Sequence, residues 1–94
     1  MNEANVLEKK FEIRNKQGLH ARPAALFVQA ANLFESDVDV IKDDNTIHGK
    51  SIMGITTLAA EAGSVITVQV RGQDAPAAMD AISKLFETNF GEKE

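Results

Sequence analysis

Alternating apolar and polar side chains mark three stretches of the chain, as in strands with one buried face. The apolar positions in these stretches are Phe11 and Ile13, then Val38 and Val40, then Ile66, Val68 and Val70. The first stretch predicts a strand from Lys9 to Arg14, and Gly72 ends the last one. A polar cluster, Asp43, Asp44 and Asn45, offers turn chemistry before a short segment from Thr46 to His48, which predicts a hairpin and a fourth strand.

Two further segments have the sequence pattern of helices and predict the first and second helices of the chain. The segment from Ala21 to Phe34 is rich in alanine and long apolar side chains, which predicts a helix with a wide buried arc. After Ser51, a candidate N-cap, apolar residues recur at three- and four-residue spacing until Gly63. These positions are Ile52, Ile55, Leu58 and Ala59. They predict a short second helix.

A last helix is predicted to begin after Asp74, which can cap it, with Pro76 tolerated in its first turn. Its buried stripe would comprise Met79, Ile82, Leu85 or Phe86, and Phe90. Gly91 is predicted to end it.

The element order βαββαβα predicts an α+β fold. We expect an open-faced sandwich in which a four-stranded antiparallel sheet carries three helices on one face. Ninety-four residues suffice for one modest core, and neither a repeat nor a linker divides the chain. We therefore expect a single domain over residues 1–94, with a core over about 9–90 and loose ends at 1–7 and 91–94.

Composition excludes several classes of protein. The chain has no cysteine, so nothing predicts a disulfide framework, a zinc cluster or an oxidising compartment, and we expect it in the cytoplasm. It shows neither a signal-peptide pattern nor an apolar run long enough to insert into a membrane. Ten scattered basic residues against fourteen acidic ones give a net charge of −4, which disfavours nucleic-acid binding. His48 has no partners at metal-ligand spacing, so we expect it to be a surface residue of a strand. We expect the protein to use neither a metal nor a cofactor.

The stretch from Gly18 to Ala24 carries the most specific chemistry. It places His20 at a strand-to-helix junction, with Arg22 two residues later and Pro23 in the first turn. A helix N-terminus stabilises an anion and disfavours an imidazolium ion, so we expect a neutral ring with one nitrogen free to attack phosphorus. Arg22 offers a planar fork of donors for phosphate oxygens. An exposed loop histidine without function is the competing interpretation of His20.

This seven-residue string resembles the active-site motif of HPr, the histidine-containing phosphocarriers of the bacterial sugar phosphotransferase system. A second stretch, from Lys50 to Gly54, resembles the regulatory-serine segment of the same family. The resemblance extends from about Lys9 to Phe90. It implies that Enzyme I phosphorylates Nδ1 of His20, that Arg22 stabilises the phosphoryl group, and that the group moves on to EIIA domains of sugar permeases.

The same resemblance implies a regulatory site and a docking surface. Ser51 becomes a target of HPr kinase/phosphorylase, although as a residue it is first a helix cap. The interface with protein partners would include Leu19, Ala21, Ile52 and Met53. Periodicity alone favours Ile52 or Ile55 as a core residue and Met53 as exposed. We expect a monomeric carrier that is not itself an enzyme.

Alternative functions remain at this stage. A nitrogen-branch carrier or a regulatory paralogue that acts through Ser51 would share the fold. The pairing of His20 with Arg22 argues against a purely regulatory form, and the segment from Lys50 to Gly54 favours the sugar-type carrier. A binding module without phosphotransfer is the rival from another class, and it predicts that replacing His20 leaves function intact.

Overall fold

The computed structural model describes residues 6–58 and 60–92 and confirms the predicted order of elements. The strands are β1 (Val6–Glu12), β2 (Asp37–Lys42), β3 (Asn45–His48) and β4 (Val65–Arg71). The helices are α1 (Ala21–Ala31), α2 (Ile52–Leu58) and α3 (Ala75–Glu87), followed by a 3-10 turn at Asn89–Gly91. The strands form one sheet in the order β1-β4-β2-β3, and every neighbouring pair is antiparallel.

One face of the sheet is apolar because side chains alternate between the two faces of each strand. Its buried residues are Phe11, Val38, Val40, Ile66, Val68 and Val70. The three helices cover this face and complete the core. The opposite face is mostly polar, and there Gln69 Nε2 of β4 donates to Glu8 Oε1 of β1 at 2.7 Å. The predicted open-faced sandwich is therefore confirmed.

Four phenylalanines connect β1, α1, α3 and the terminal turn. The ring of Phe86 stacks on Phe11, with centroids 4.2 Å apart. Phe27 and Phe90 meet Phe86 edge-on at 6.3 and 4.9 Å. Such contacts add to the burial of each ring, so Phe86 fixes the three elements and the turn relative to one another.

Two helices end earlier than predicted. The first was expected to reach Phe34, but α1 ends at Ala31, and Asn32 takes the C-cap position. Both the backbone N–H and the side-chain amide of Asn32 donate to the Val28 carbonyl, at 2.9 and 3.0 Å. An asparagine side chain that competes for backbone groups favours a helix end over a helix interior. Likewise, α2 ends at Leu58 rather than just before Gly63.

The predicted loose ends are wrong for four of the residues that the structure describes. Val6 and Leu7 pair with Arg71 and Val70, so β1 begins at Val6 rather than Lys9. Residues 1–5, 93 and 94 lie outside the described residues.

No helix among the described residues is long and apolar enough to cross a membrane.

At the other end, Phe90 is buried as predicted but does not extend α3, which ends at Glu87. Phe90 instead adopts a φ of 56° within the 3-10 turn. The N–H groups of Gly91 and Glu92 donate to Thr88 and Asn89, each at 2.9 Å. The last described residues are therefore held in place rather than loose.

Asp74 occupies the N-cap position of α3, but its side chain does not cap that helix. Its carboxylate instead accepts bonds from the N–H groups of Glu35 and Ser36, each at 2.9 Å, and from the Ser36 hydroxyl. These bonds hold the pKa of Asp74 below its ordinary value of 3.8, and the bond from the Ser36 hydroxyl has the largest effect. The carboxylate thus ties the start of α3 to the segment that leads into β2.

This carboxylate makes the stability of the domain depend on pH. Because the pKa of Asp74 is lower in the folded chain, its contribution is present above pH 3.8 and is lost as the pH falls through the folded-state pKa. We expect Asp74→Asn to remove this part of the acid sensitivity. Urea unfolding between pH 7 and pH 2.5 measures the change.

Asp80→Asn is the matched control, because Asp80 is an exposed carboxylate of the same helix that pairs with Lys84 at 3.3 Å. It should follow the wild-type pH profile. Wild-type behaviour of Asp74→Asn over the same range would contradict the role of the Asp74 carboxylate.

Candidate functional site

His20 is the N-cap residue of α1, at the junction that the sequence predicted. Its backbone is extended, with φ −76° and ψ −169°, and its side chain makes no capping bond to the helix. The imidazole is 34% exposed. The first N–H groups of a helix have no intrahelical acceptor and carry a partial positive charge, so an anion beside the His20 ring would be stabilised.

The loop before His20 is held by a close approach of two backbone segments. Gly18 adopts a φ of +71°, and the next N–H, that of Leu19, donates to the Ala60 carbonyl at 2.9 Å. A Cβ at Gly18 would lie only 2.3 Å from that carbonyl oxygen. Glycine is therefore required here both by the backbone conformation and by the contact, and the contact fixes the loop to the segment that follows α2.

A carboxylate far from the histidine in the sequence contacts its ring. Glu92 Oε2 lies 3.0 Å from His20 Nε2, and Asn15 Nδ2 donates to Glu92 Oε1. The Asn15 bond is the largest of the effects that lower the pKa of Glu92 below its ordinary value of 4.5; the contact with His20 and the charge of Arg22 also lower it, and burial opposes them. No local sequence signal relates Glu92 to His20, because the contact joins residues 72 positions apart.

Arg22 lies at the same site, bound to the end of the chain. Its Nη1 donates to the Phe90 carbonyl at 3.0 Å and lies 3.5 Å from Glu92 Oε2. More than half of the side chain is exposed. His20 and Arg22 thus share Glu92 as a partner.

The second segment singled out by the sequence begins α2. The Ser51 hydroxyl accepts a bond from the Gly54 N–H at 3.0 Å, which confirms the predicted cap. Beside it, Lys50 Nζ donates to the Phe34 carbonyl at 2.7 Å. Ser51 therefore caps the start of α2 and is itself only partly buried.

The expected partner surface is corrected at one position. Ala21 and Ile52 are exposed, and Met53 is 76% exposed, whereas Ile55 lies in the core. Leu19 is only 4% exposed and belongs to the core, so it does not face a partner. Its side chain packs into the hydrophobic core, to which Ala60, the acceptor of its N–H, also belongs.

His48 is exposed on β3, where its Nδ1 lies 3.4 Å from Asp39 Oδ1. This placement confirms a surface strand residue. It lies on the edge strand of the sheet, whereas His20 begins α1.

Fold and site together define a small α+β domain that presents one histidine and one arginine at an anion-stabilising helix start. A family model described as the PTS HPr component phosphorylation site matches residues 7–88. The phosphocarrier protein HPr of Neisseria meningitidis is 46% identical over 89 residues, covering 95% of this chain and all of the relative. The HPr-like protein Crh of Bacillus subtilis is 45% identical over 78 residues, 83% of this chain and 92% of the relative.

Solved structures give the same result. A crystal structure of HPr from Thermoanaerobacter tengcongensis matches with a TM-score of 0.90 at 46% identity, covering 94% of this chain and 99% of the other. The chain belongs to the HPr family of the phosphotransferase system. It is a phosphocarrier that acts with other components of that system, and not a stand-alone catalyst.

The loop contact at Gly18 predicts a large effect of one methyl group. Gly18→Ala should lower the free energy of unfolding by more than the roughly 1–2 kcal/mol that a left-handed backbone costs alanine, because its Cβ also clashes with Ala60. Gly63→Ala is the control, since Gly63 has a φ of +88° but nothing within 4 Å of its Cβ position. Urea unfolding at pH 7 compares the two. Equal losses would show that the Ala60 contact does not constrain the loop.

Proposed function

We propose that His20 accepts a phosphoryl group on Nδ1 from phospho-Enzyme I and donates it to EIIA domains of sugar permeases. The observation that carries this proposal is the environment of the two ring nitrogens. Nε2 faces the Glu92 carboxylate at 3.0 Å, so Nδ1 is the nitrogen left to act as nucleophile on a partly exposed ring. The start of α1 supplies the electrostatic stabilisation of the incoming anion.

Arg22 is the second functional residue in this proposal. When the phosphoryl group arrives, the guanidinium exchanges the Phe90 carbonyl for phosphoryl oxygens, which bind it more strongly because they are charged. The carbonyl receives Arg22 again when the group leaves. A grip of this reversible kind suits a carrier, since an anion bound too tightly would not be passed on.

Partners would dock on an apolar surface beside the histidine. We define this docking surface as Ala21 at the start of α1 and Ile52 and Met53 at the start of α2, which are all exposed. Methionine adapts to several partner surfaces, which suits a carrier with more than one partner. We propose that the chain acts in the cytoplasm as a monomer, since one face must meet successive partners.

The nitrogen-branch carrier and the regulatory paralogue remain the alternatives within the family. The similarity to Crh gives the regulatory paralogue only weak support, because HPr proteins match the chain equally well. His20 with Arg22 at an open site favours the carrier, since a purely regulatory protein has no need of a nucleophile placed beside a helix start.

Labelling with phosphoenolpyruvate tests the acceptor. With Enzyme I and labelled phosphoenolpyruvate, the wild type should take up acid-labile, alkali-stable label, and His20→Ala should take up none because the nucleophile is gone. His48→Ala is the matched control and should be labelled like the wild type, since His48 is exposed on β3. An unlabelled wild type, with Enzyme I active on another carrier, would reject the proposal in favour of a regulatory or binding protein.

Ser51 is proposed as a second phosphorylation site, used by HPr kinase/phosphorylase. Its hydroxyl accepts the Gly54 N–H and keeps its own proton available for replacement by a phosphoryl group. A phosphate here would add about two negative charges beside the docking surface without entering the core. Modification would then change partner choice rather than unfold the domain.

With ATP and HPr kinase/phosphorylase, the wild type should gain one phosphate, detected as a mass increase, and Ser51→Ala should gain none. Loss of the cap should also cost Ser51→Ala about 0.5–2 kcal/mol in the free energy of unfolding. Ser64→Ala is the control, because the Ser64 hydroxyl likewise accepts a backbone bond, from Glu61 at 3.1 Å. Phosphorylation of Ser51→Ala at the wild-type level would place the modification elsewhere.

A further inference from the structure

Glu92 is held against the histidine from two sides. The buried Phe90 anchors the 3-10 turn that precedes it, and the Asn15 amide donates to its Oε1. Asn15 is itself only 1% exposed, and its amide also lies 3.5 Å from the Asn89 carbonyl. The Glu92 side chain is 15% exposed. This carboxylate is therefore an ordered part of the site and not a mobile surface group.

The arrangement fixes which nitrogen of His20 carries the proton. An ionised carboxylate only accepts hydrogen bonds, so the ring must present N–H at Nε2 to Glu92 Oε2, 3.0 Å away. The neutral ring then has its lone pair on Nδ1. Asn15 keeps the other carboxylate oxygen occupied, which directs Oε2 at the ring. The Asn15 bond also lowers the pKa of Glu92, so the carboxylate stays ionised at neutral pH.

We propose that Glu92, oriented by Asn15, is a positioning residue that holds His20 in the tautomer with its proton on Nε2 and so presents Nδ1 for phosphoryl transfer. The inference rests on the proposed role of His20 as the acceptor. It adds a carboxylate-histidine pair, joined across 72 positions of the chain, to the site at the start of α1.

Phosphoryl transfer to Nδ1 leaves the proton of the His20–Glu92 pair in place. The Nδ1 lone pair forms the new bond to phosphorus, and the bond from phosphorus to the donor atom breaks, with its electron pair left on the donor. The proton on Nε2 stays on the ring, shared with Glu92. Positive charge grows on the ring as the new bond forms, and the carboxylate at 3.0 Å stabilises it, as the buried carboxylate does for a catalytic histidine in serine proteases.

Two measurements on the same variants test the inference. The nitrogen chemical shifts of His20 at a pH where the ring is neutral report the tautomer, and single-turnover transfer from phospho-Enzyme I reports the rate. Glu92→Ala should raise the share of rings with the proton on Nδ1 and slow transfer by roughly 10-fold, the effect of losing one charge-assisted hydrogen bond. Glu92→Gln has a single acceptor oxygen, which the Asn15 amide occupies, so its –NH2 group faces Nε2; it should therefore also shift the proton to Nδ1 and slow transfer.

Asn15→Asp is the second variant, because it is isosteric and removes the donor to Glu92 Oε1. It places a carboxylate against Glu92 in place of a donor and should therefore reproduce Glu92→Ala. Combining the two substitutions should add little, because both act through the same contact. Glu87→Ala is the matched control, since Glu87 is an exposed carboxylate of the same terminal region; it should keep wild-type shifts and rate.

The outcomes separate this inference from the function on which it rests. A labelled wild type together with unchanged nitrogen shifts and a rate within twofold of wild type in Glu92→Ala would overturn the role of Glu92 and leave His20 as the acceptor. An unlabelled wild type would overturn the proposed function. The nitrogen shifts would then still decide whether Glu92 sets the tautomer.

Discussion

The contacts of Phe86 hold together the parts of the molecule that would otherwise be independent. Its ring stacks on Phe11 of β1 and meets Phe27 of α1 and Phe90 of the terminal turn edge-on. The apolar face of the sheet must be buried by the helices, and these ring contacts position the helices on it. Phe90 in turn places the carbonyl that receives Arg22, so the packing of the core extends directly into the functional site.

The site is assembled from three segments that are far apart in the sequence. The loop before α1 brings Asn15 and His20, the first turn of α1 brings Arg22, and the last described residue, Glu92, closes the site. None of these groups makes a site alone. A histidine at a helix start can receive an anion, but the carboxylate and the amide behind it determine which ring nitrogen is available.

The sequence predicts most of the fold because the fold is built from local patterns. Alternation in β2 and β4 and the apolar spacing of α3 are consequences of a one-sided sheet and its cover, so they can be read without the structure. The His20 motif and the Ser51 cap are local as well.

The sequence predictions fail where the structure depends on contacts between residues that are far apart in the chain. Strand β1 extends to Val6 because Arg71 pairs with it, and Leu19 is buried because it packs into the core formed by distant segments. Gly91 is typical of a residue that ends a helix, but Glu92, which follows it, contacts His20 across 72 positions. Asp74 stands where a cap belongs, but its carboxylate binds Ser36 instead. Such partners cannot be inferred from spacing within one segment.

The bond between Leu19 and Ala60 also has a consequence for how this protein meets others. It fixes the histidine loop to the chain just after α2, so the separation between His20 and the apolar pair Ile52 and Met53 is set before any partner arrives. Recognition then requires little ordering of the carrier, and more of the interaction free energy remains as affinity. A brief, repeated encounter with many partners is served by a surface that is rigid in advance rather than one that must be shaped each time.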